Sequence, residues 1–523
     1  LVGSEMCIRD SHNINALFLY EEGTQQADNF AGQRETNMDV IDEMFAGYTE
    51  NQQATQNSGN IYKQTNKGFV GRINYDYKSK YLFEVSARYD GSSKFAPGHR
   101  WGLFPSISGG WRISEEDFFK KKLSFINNLK LRLSYGVMGS DASSSYQFLS
   151  GYTYPSGGYM FDSYIGAITS SNIPNVEITW YKSKTTNVGL DFTMWNGLLS
   201  GSFDYFTRKQ TGLLANRANA LPSTIGANMS QENLNSNRRS GFEIELSHSH
   251  KINKFSYRIS GNFSYTRRKN LYRERAESTS YYNDWRNNDS NRYWDFIWGY
   301  DVNGQLGSFD EIYNAPIMDS KGNSSFFPGT YNYEDWNGDG IIDANDEHPV
   351  VATGERINYG FTLEAAYGGF DISAVFQGTG VTVRDFPQQH FQPLMWGRNG
   401  LSRFLDRWHR ADEFDPNSEW IPGKYPSTFR DTPAWNSLLR ASKMSKLNSS
   451  YLRLKSLEIG YSLPKPLLQK VGIQAARVYV NGYNLLTFSP VNGITDPERP
   501  DDSDSGYTYP ASATYNIGIN LTF

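Results

Sequence analysis

The connections between segments of alternating apolar and polar residues fall into two length classes, which follow one another in strict turn along this 523-residue chain. Short connections lie at Ser79 and at Asn196-Gly197, whereas long ones span 138–183 and 267–354. A Greek-key sandwich imposes no such order on its loops. A barrel of membrane-crossing antiparallel strands does impose it, because tight turns line one rim and long loops line the other. The connection lengths therefore predict an up-and-down transmembrane β-barrel.

The alternating segments predict about fourteen strands and hence an all-β fold with short periplasmic turns and long extracellular loops. One strand lies within 16–20, and the others lie at about 72–77, 81–89, 101–113, 129–137, 184–194, 198–208, 239–249, 255–266, 355–366, 370–378, 450–463, 476–486 and 513–523.

Individual side chains within these strands are assigned to a face of the barrel. Glu243 and Glu245 share the polar face of one strand and are expected to line the hydrated interior. The pair His248 and His250 is interpreted as facing the same lumen rather than holding a metal. Trp101 and Phe104 lie beside a long connection and are both expected in the aromatic girdle at the membrane boundary.

The C-terminus shows the most regular alternation. Its odd positions are apolar and its even positions are polar, which identifies a strand. Because the chain ends on an aromatic residue at the periplasmic rim, the apolar positions are interpreted as a signal for assembly into the outer membrane: Tyr515, Ile517, Ile519, Leu521 and Phe523.

Composition excludes several other classes of protein. The chain has 51 Lys and Arg against 55 Asp and Glu, which gives no reason to expect nucleic acid as a partner. Cys7 is the only cysteine, so no intrachain disulfide forms. The mean hydropathy is −0.61, and no apolar run of 18 residues predicts a transmembrane helix. Since nucleophile-elbow, Walker and H-E-x-x-H motifs are also missing from the sequence, an enzyme is not expected.

Residues 1–11 do not share the pattern of the rest of the chain. They resemble translated adapter sequence and are interpreted as a non-native segment. No initiator methionine or signal peptide is visible, so residues 12–523 are expected to be the C-terminal part of a longer barrel protein.

One motif in the long connection 267–354 has the spacing of a calcium loop. Oxygen-bearing side chains occupy loop positions 1, 3, 5, 9 and 12, a glycine occupies position 6, and position 7 offers a backbone carbonyl. Position 12 carries an aspartate instead of the usual glutamate, which predicts weak binding. The alternative is a solvated acidic turn. The candidate ligands are Asp335, Asn337, Asp339, Ile341 through its carbonyl, Asp343 and Asp346.

Tryptophans are concentrated in the long connections. Such rings could stack on sugars or peptide side chains, and packing between loops is the alternative, so no single tryptophan is assigned to a substrate site. These residues are Trp285, Trp294, Trp298, Trp336, Trp396, Trp408 and Trp420.

Several strings in order along the chain resemble the SusC/RagA family of TonB-dependent outer-membrane transporters. They include GRINYDYKSKYLFEVSARYDGSSKF from Gly71, SSYLRLKSLEIGYSLPK from Ser449 and ARVYVNGYNLLTFS from Ala476. The resemblance implies a barrel of about 22 strands, of which this chain supplies about fourteen, together with a plug domain and a signal peptide that are not visible here.

The same resemblance implies a place in the outer membrane of a Gram-negative bacterium, in contact with its lipid. It also implies a SusD-like surface lipoprotein, the TonB-ExbB-ExbD complex and a glycan or peptide substrate. Two alternatives remain open at this point. One is a passive channel of about fourteen strands that closes on itself, and the other is a soluble calcium-binding β adhesin or lectin.

Overall fold

The computed structural model describes most of the chain. The described residues are 2–8, 11–27, 31–34, 50, 52–55, 62–153, 158–160, 162, 164–166, 168–170, 173–218, 222–225, 227–278, 280–352, 354, 356–385, 400, 402–427, 442, 444–468, 472–498 and 511–523.

A single antiparallel sheet dominates the fold, and each strand pairs with its neighbours in sequence. Fourteen of its fifteen strands, from β2 onward, correspond to the predicted ones, so the all-β, up-and-down prediction is confirmed. The strands are β1 Val2–Ile8, β2 His12–Ala27, β3 Tyr62–Tyr77, β4 Tyr81–Ser92, β5 Trp101–Arg112, β6 Ile126–Ser140, β7 Tyr181–Met194, β8 Leu199–Ala215, β9 Glu232–Ile252, β10 Phe255–Tyr272, β11 Ile357–Tyr367, β12 Phe370–Gly380, β13 Tyr451–Ser462, β14 Ala475–Phe488 and β15 Thr514–Thr522.

Residues 2–8 belong to the segment interpreted from sequence as non-native, and they form β1 and pair with β2, with Val2 opposite Phe18. β1 and β15 are the two ends of the sheet.

Tight turns join the strands at the periplasmic rim because their residues tolerate a left-handed backbone. Lys78 and Ser79 have φ of 54° and 51°, and Asn196 and Gly197 have φ of 54° and 88°. Such conformations match the twist of two-residue hairpins. The two longer periplasmic turns contain the short helices α1 Asp117–Lys122 and α4 Lys465–Leu468.

The outward face of the sheet is apolar. Tyr205, Phe242 and Tyr265 lie side by side on three adjacent strands, and the rings of Phe242 and Tyr265 are 5.7 Å apart. Large apolar side chains on this face remain exposed, for example Leu133 at 57%. A sheet that presents such a face is suited to lipid rather than to water.

Several strands extend beyond their predicted extracellular ends. β9 begins at Glu232 rather than at 239, and β3 begins at Tyr62 rather than at 72. Most of the residues added to β9 are polar on both faces, as in Asn235, Asn237 and Arg238, so in this strand the hydrophobic pattern ends before the backbone pairing does.

Two assignments of residues to a face are wrong. Phe104 points inward, is 6% exposed and meets the Trp180 ring edge-on at 5.3 Å, whereas Trp101 is 41% exposed. His248 and His250 face outward, because His248 pairs with the outward residue Ile259. In both cases the strand's period of two fixes the face.

Shorter elements lie in the extracellular loops. Among the described loop residues, the α-helices are α2 Tyr281–Asn287 and α3 Phe309–Asn314. Paired short strands are Ala31–Gln33 with Gln53–Thr55, Tyr152–Thr153 with Thr169–Ser170, Gly158–Met160 with Tyr164–Gly166, Phe296–Gly299 with His348–Ala352, Val302–Gln305 with Tyr331–Tyr333, Val383–Asp385 with Lys446–Asn448, and His409–Arg410 with Trp420–Ile421. Among the described residues, no helix is long and apolar enough to cross a bilayer.

Candidate functional site

The inward face of the sheet is charged and partly neutralised by ion pairs between strands. Arg132 on β6 donates to Asp191 on β7 at 2.8 Å and to Asp204 on β8 at 2.8 Å. Glu243 and Glu245 point to the same side, as predicted, because they alternate with outward-facing Phe242 and Ile244. The inner wall is therefore a surface for polar solutes or for polar protein segments.

Concave regions of this wall could accommodate a polar ligand. One of these concave regions has a volume of about 810 Å³ and lies over β6 to β12. Its polar lining includes Glu245, Arg258, Asn262, Asn358 and Gln377. This lining offers both hydrogen-bond donors and acceptors, which suits hydroxyl or amide groups better than an apolar ligand.

Closer to the extracellular end, the inward face of the sheet carries positively charged side chains. Arg208, Arg239 and Arg268 lie opposite one another on β8, β9 and β10. The Arg268 Nε is buried without a hydrogen-bond partner, and its guanidinium lies 5.6 Å from the ring centre of Trp294. The alternation of polar and apolar residues assigns each of these arginines to the inward face. Only the strand register shows that the three lie opposite one another.

The long loop between β10 and β11 folds around its own hydrophobic core. Ile312 and Phe326 are 0% and 1% exposed, and they pack with the buried side chains of Tyr331 and Tyr333. Asn323 supports this core by donating to the carbonyls of Ile312 and Pro316, each at 3.0 Å. The loop is thus a small folded unit rather than a passive connection.

A second loop, between β12 and β13, packs against this unit. Trp408 Nε1 donates to Gln305 Oε1 at 3.2 Å, and the Ser427 hydroxyl donates to the Pro328 carbonyl at 3.2 Å. Burial raises the pKa of the Tyr331 phenol to about 12 at this contact. The two loops, here called the loop unit (described residues 273–278, 280–352, 354 and 356 together with 402–427), form one packed structure on the extracellular side.

Three of the predicted tryptophans meet on this loop unit. The rings of Trp285 and Trp336 are nearly parallel at 5.9 Å, and Trp336 continues the row onto His348 at 5.2 Å. Trp298 meets Trp285 edge-on, and Arg292 lies over both of these rings. Since the rings cover one another, packing between loop segments accounts for this cluster.

The remaining tryptophans lie elsewhere. Trp408 and Trp420 belong to the loop unit, where Trp420 contacts Phe327. Trp294 is 51% exposed beneath Arg268, and Trp396 lies outside the described residues.

The predicted calcium ligands lie together in a compact turn. Asp335 accepts hydrogen bonds from the backbone N–H groups of Gly338 and Gly340, both at 2.7 Å. These glycines have φ of 76° and 82°, which brings the chain back around the carboxylate. Asn337 and Asp339 each accept from the N–H two residues later, at 2.9 Å.

Asp346 occupies the last position of this loop and fits a metal least well. It is 0% exposed, and its carboxylate accepts from the N–H groups of Trp336, Asn337 and Asp343 at 2.9, 3.3 and 2.8 Å. No group of three or more His, Cys, Asp or Glu side chains in the described parts of the chain is arranged to hold a metal. The donor set consists of oxygen atoms, which suits calcium, so calcium binding stays a prediction.

The C-terminal strand places its predicted signal residues on the outward face. Ile517 and Ile519 are 80% and 63% exposed, and they lie opposite Val480 and Val478 of β14. Their role in assembly also stays a prediction.

Comparison with known proteins decides the family. The sequence model described as "TonB dependent receptor-like, beta-barrel" matches residues 11–485. The chain belongs to the TonB-dependent receptor family. This membership assigns it to the outer membrane and to a family of non-enzymatic proteins, as the sequence predicts.

The curated relatives of this TonB-dependent receptor include SusC. TonB-dependent receptor P3 of Formosa agariphila is 28% identical over 98% of this chain and 51% of the relative. SusC of Bacteroides thetaiotaomicron is 26% identical over 88% of this chain and 44% of the relative. The receptor chain thus spans about half the length of the curated relatives it matches.

Solved structures agree on the fold of the receptor barrel. The RagAB peptide importer in its closed-closed state superposes with a TM-score of 0.74 at 21% identity, covering 100% of this chain and 55% of that chain. Its open-open state gives a TM-score of 0.75.

Proposed function

We propose that this receptor barrel is part of a TonB-dependent importer that takes up a glycan or peptide nutrient with a SusD-like lipoprotein on its extracellular side. The observation that carries the proposal is the polar concave wall of about 810 Å³ on the inward face. It offers hydrogen-bonding groups to a hydrated solute, and the loop unit lies on the side from which such a solute would enter.

The relatives support the choice of substrate class. One similar structure is that of a peptide importer, and SusC is a named relative. Energy from the TonB-ExbB-ExbD complex would open the path, while this chain supplies wall and loops.

Uptake by living cells tests the proposal. Cells that lack the full-length gene, and cells that lack TonB, are each given labelled oligosaccharide and peptide mixtures. We expect both strains to lose uptake of one class, and the wild-type gene to restore it to the first strain. Uptake that persists without TonB would support the passive channel instead.

Physical association tests the partner. The full-length protein, extracted in mild detergent, is expected to copurify with a SusD-like lipoprotein in equal amounts. A receptor that takes up its substrate without any such lipoprotein would contradict this part of the proposal.

We also propose that the turn 335–346 binds calcium through Asp335, Asn337, Asp339, the Ile341 carbonyl and Asp343, with Asp346 holding the turn in shape. The probe is terbium, whose emission Trp336 would sensitise. We expect saturable emission that calcium displaces and that Asp335→Asn abolishes. The control Asn345→Ala, on an exposed residue of the same turn, should keep it. Emission that does not saturate would contradict calcium binding.

A further inference from the structure

A row of three basic side chains crosses the outward face of the barrel near its extracellular end. Lys209 on β8 lies opposite Arg238 on β9, which lies opposite Lys269 on β10. Like charges placed directly opposite one another weaken a sheet. An anion bound from outside the sheet would reduce the repulsion among these three cations.

The strand period fixes the face on which this row lies. Each of the three residues stands four positions from an aromatic residue of the outward tier formed by Tyr205, Phe242 and Tyr265. No register shift intervenes, since the irregularities begin only at Thr211 and at Ser236. The three cations therefore project from the outer wall of the barrel, away from the lumen.

The height of the row places it at the edge of the membrane. Lys209 lies ten residues along β8 from Leu199, at the periplasmic end. A rise of about 3.3 Å per residue and a tilt of about 40° give about 25 Å, which equals the usual height of the apolar band. The row thus lies where the hydrocarbon of the outer leaflet gives way to headgroups.

Within the described parts of the chain, no carboxylate forms an ion pair with these three residues. The Lys269 amine lies 5.8 Å from the centre of the Tyr293 ring. Arg267, next to this row on β10, is by contrast paired with the buried Asp295. Lys209 and Arg238 are exposed.

We propose that Lys209, Arg238 and Lys269 bind the phosphate groups of an anionic lipid headgroup in the outer leaflet. Clusters of Lys and Arg at a membrane surface attract such headgroups. The Arg238 guanidinium can donate two parallel hydrogen bonds to one phosphate, and the lysines on either side add point charges. Bound phosphate would relieve the repulsion among the three cations.

Native mass spectrometry of the full-length protein in detergent tests this site. The probes are a bisphosphorylated outer-leaflet glycolipid and the same lipid after enzymatic dephosphorylation. The variant K209Q/R238Q/K269Q is compared with wild type, and with R208Q/R239Q/R268Q, which removes the same charge from the inward face of the same strands. We expect the outward variant to bind the phosphorylated lipid on the order of tenfold to a hundredfold more weakly. The inward control should bind like wild type.

Equal lipid binding by the outward variant and wild type would overturn the proposal, as would equal losses in both triple variants. The proposal would also be overturned if the wild type bound the phosphorylated and the dephosphorylated lipid equally well. Folding is checked by the heat-modifiable gel mobility of barrels. If the triple variant does not fold, the single variants replace it, each with an expected loss of about fivefold. The charge-conserving K209R/K269R, which keeps Arg238, should retain binding, and a loss there would count against charge as the cause.

Discussion

The ring of Trp408 lies directly against the backbone of Gly329, joining two extracellular loops that are far apart in sequence. A Cβ atom at Gly329 would lie 2.4 Å from the Trp408 Cγ, and the residue has a φ of 93°. Only glycine satisfies both conditions, because a side chain would clash with the ring and strain the backbone.

Gly329→Ala should therefore separate the two loops while leaving the barrel folded. We expect faster hydrogen exchange in both 300–333 and 402–427, measured by mass spectrometry. The matched control is Gly322→Ala, since Gly322 also has a positive φ, 63°, but open space around its Cα. If the control loosened both loops equally, backbone strain rather than the Trp408 contact would be the cause.

The buried Tyr331 makes the loop unit sensitive to alkali. Burial raises its pKa from 10.0 to about 12, so the folded state holds its proton more tightly than the unfolded state. The resulting stability is full below pH 10 and is lost as the pH rises from 10 to 12, by roughly 2–3 kcal/mol. Tyr331→Phe should remove this dependence in urea unfolding of the loop unit. A variant with an unchanged alkaline slope would show that another group is responsible.

Asp346 should stabilise the turn 335–346 with or without a metal. Asp346→Ala removes the charged acceptor of three partly buried backbone hydrogen bonds, which should cost about 2–3 kcal/mol of local stability. The measurement is hydrogen exchange of these N–H groups in the presence of a chelator. Asn345→Ala, on an exposed neighbour, is the control. Unchanged exchange in Asp346→Ala would contradict the role of this carboxylate.

Arg453 should hold the segment after β14 against the barrel wall. It is 1% exposed, donates to Asp496 at 2.7 Å and also pairs with Glu498. Arg453→Met leaves two carboxylates without their main partner, so we expect protease cleavage within 489–498 to increase severalfold. Arg72→Met is the control, because Arg72 is exposed on β3. Equal cleavage in both variants would show that the segment is held by other contacts.

Much of the barrel could be predicted from sequence because membrane crossing imposes local rules. The alternation within strands, the turn residues and the alternation of short and long connections can all be recognised from residues close in sequence. Together they predict the number of strands from β2 onward. Phe104, His248 and His250 were assigned to the wrong face because the alternation of faces was not applied up to the ends of their strands. Trp101 and Phe104 are three positions apart and so must face opposite sides, and His248 shares the parity of Leu246.

Other features depend on pairing across long separations. The alignment of Lys209 with Arg238 and Lys269 requires the register of three strands, and a one-residue slip would reverse their faces. The contact between Trp408 and Gly329 joins two irregular loops, which carry no period from which it could be inferred.

The loop unit spans the connections on both sides of the β11–β12 hairpin. Because the two loops share Trp408, Gln305, Ser427 and Pro328, neither can swing outward alone without breaking buried contacts. The two loops are thus mechanically coupled. A force applied to one loop would therefore be transmitted to the other through these contacts.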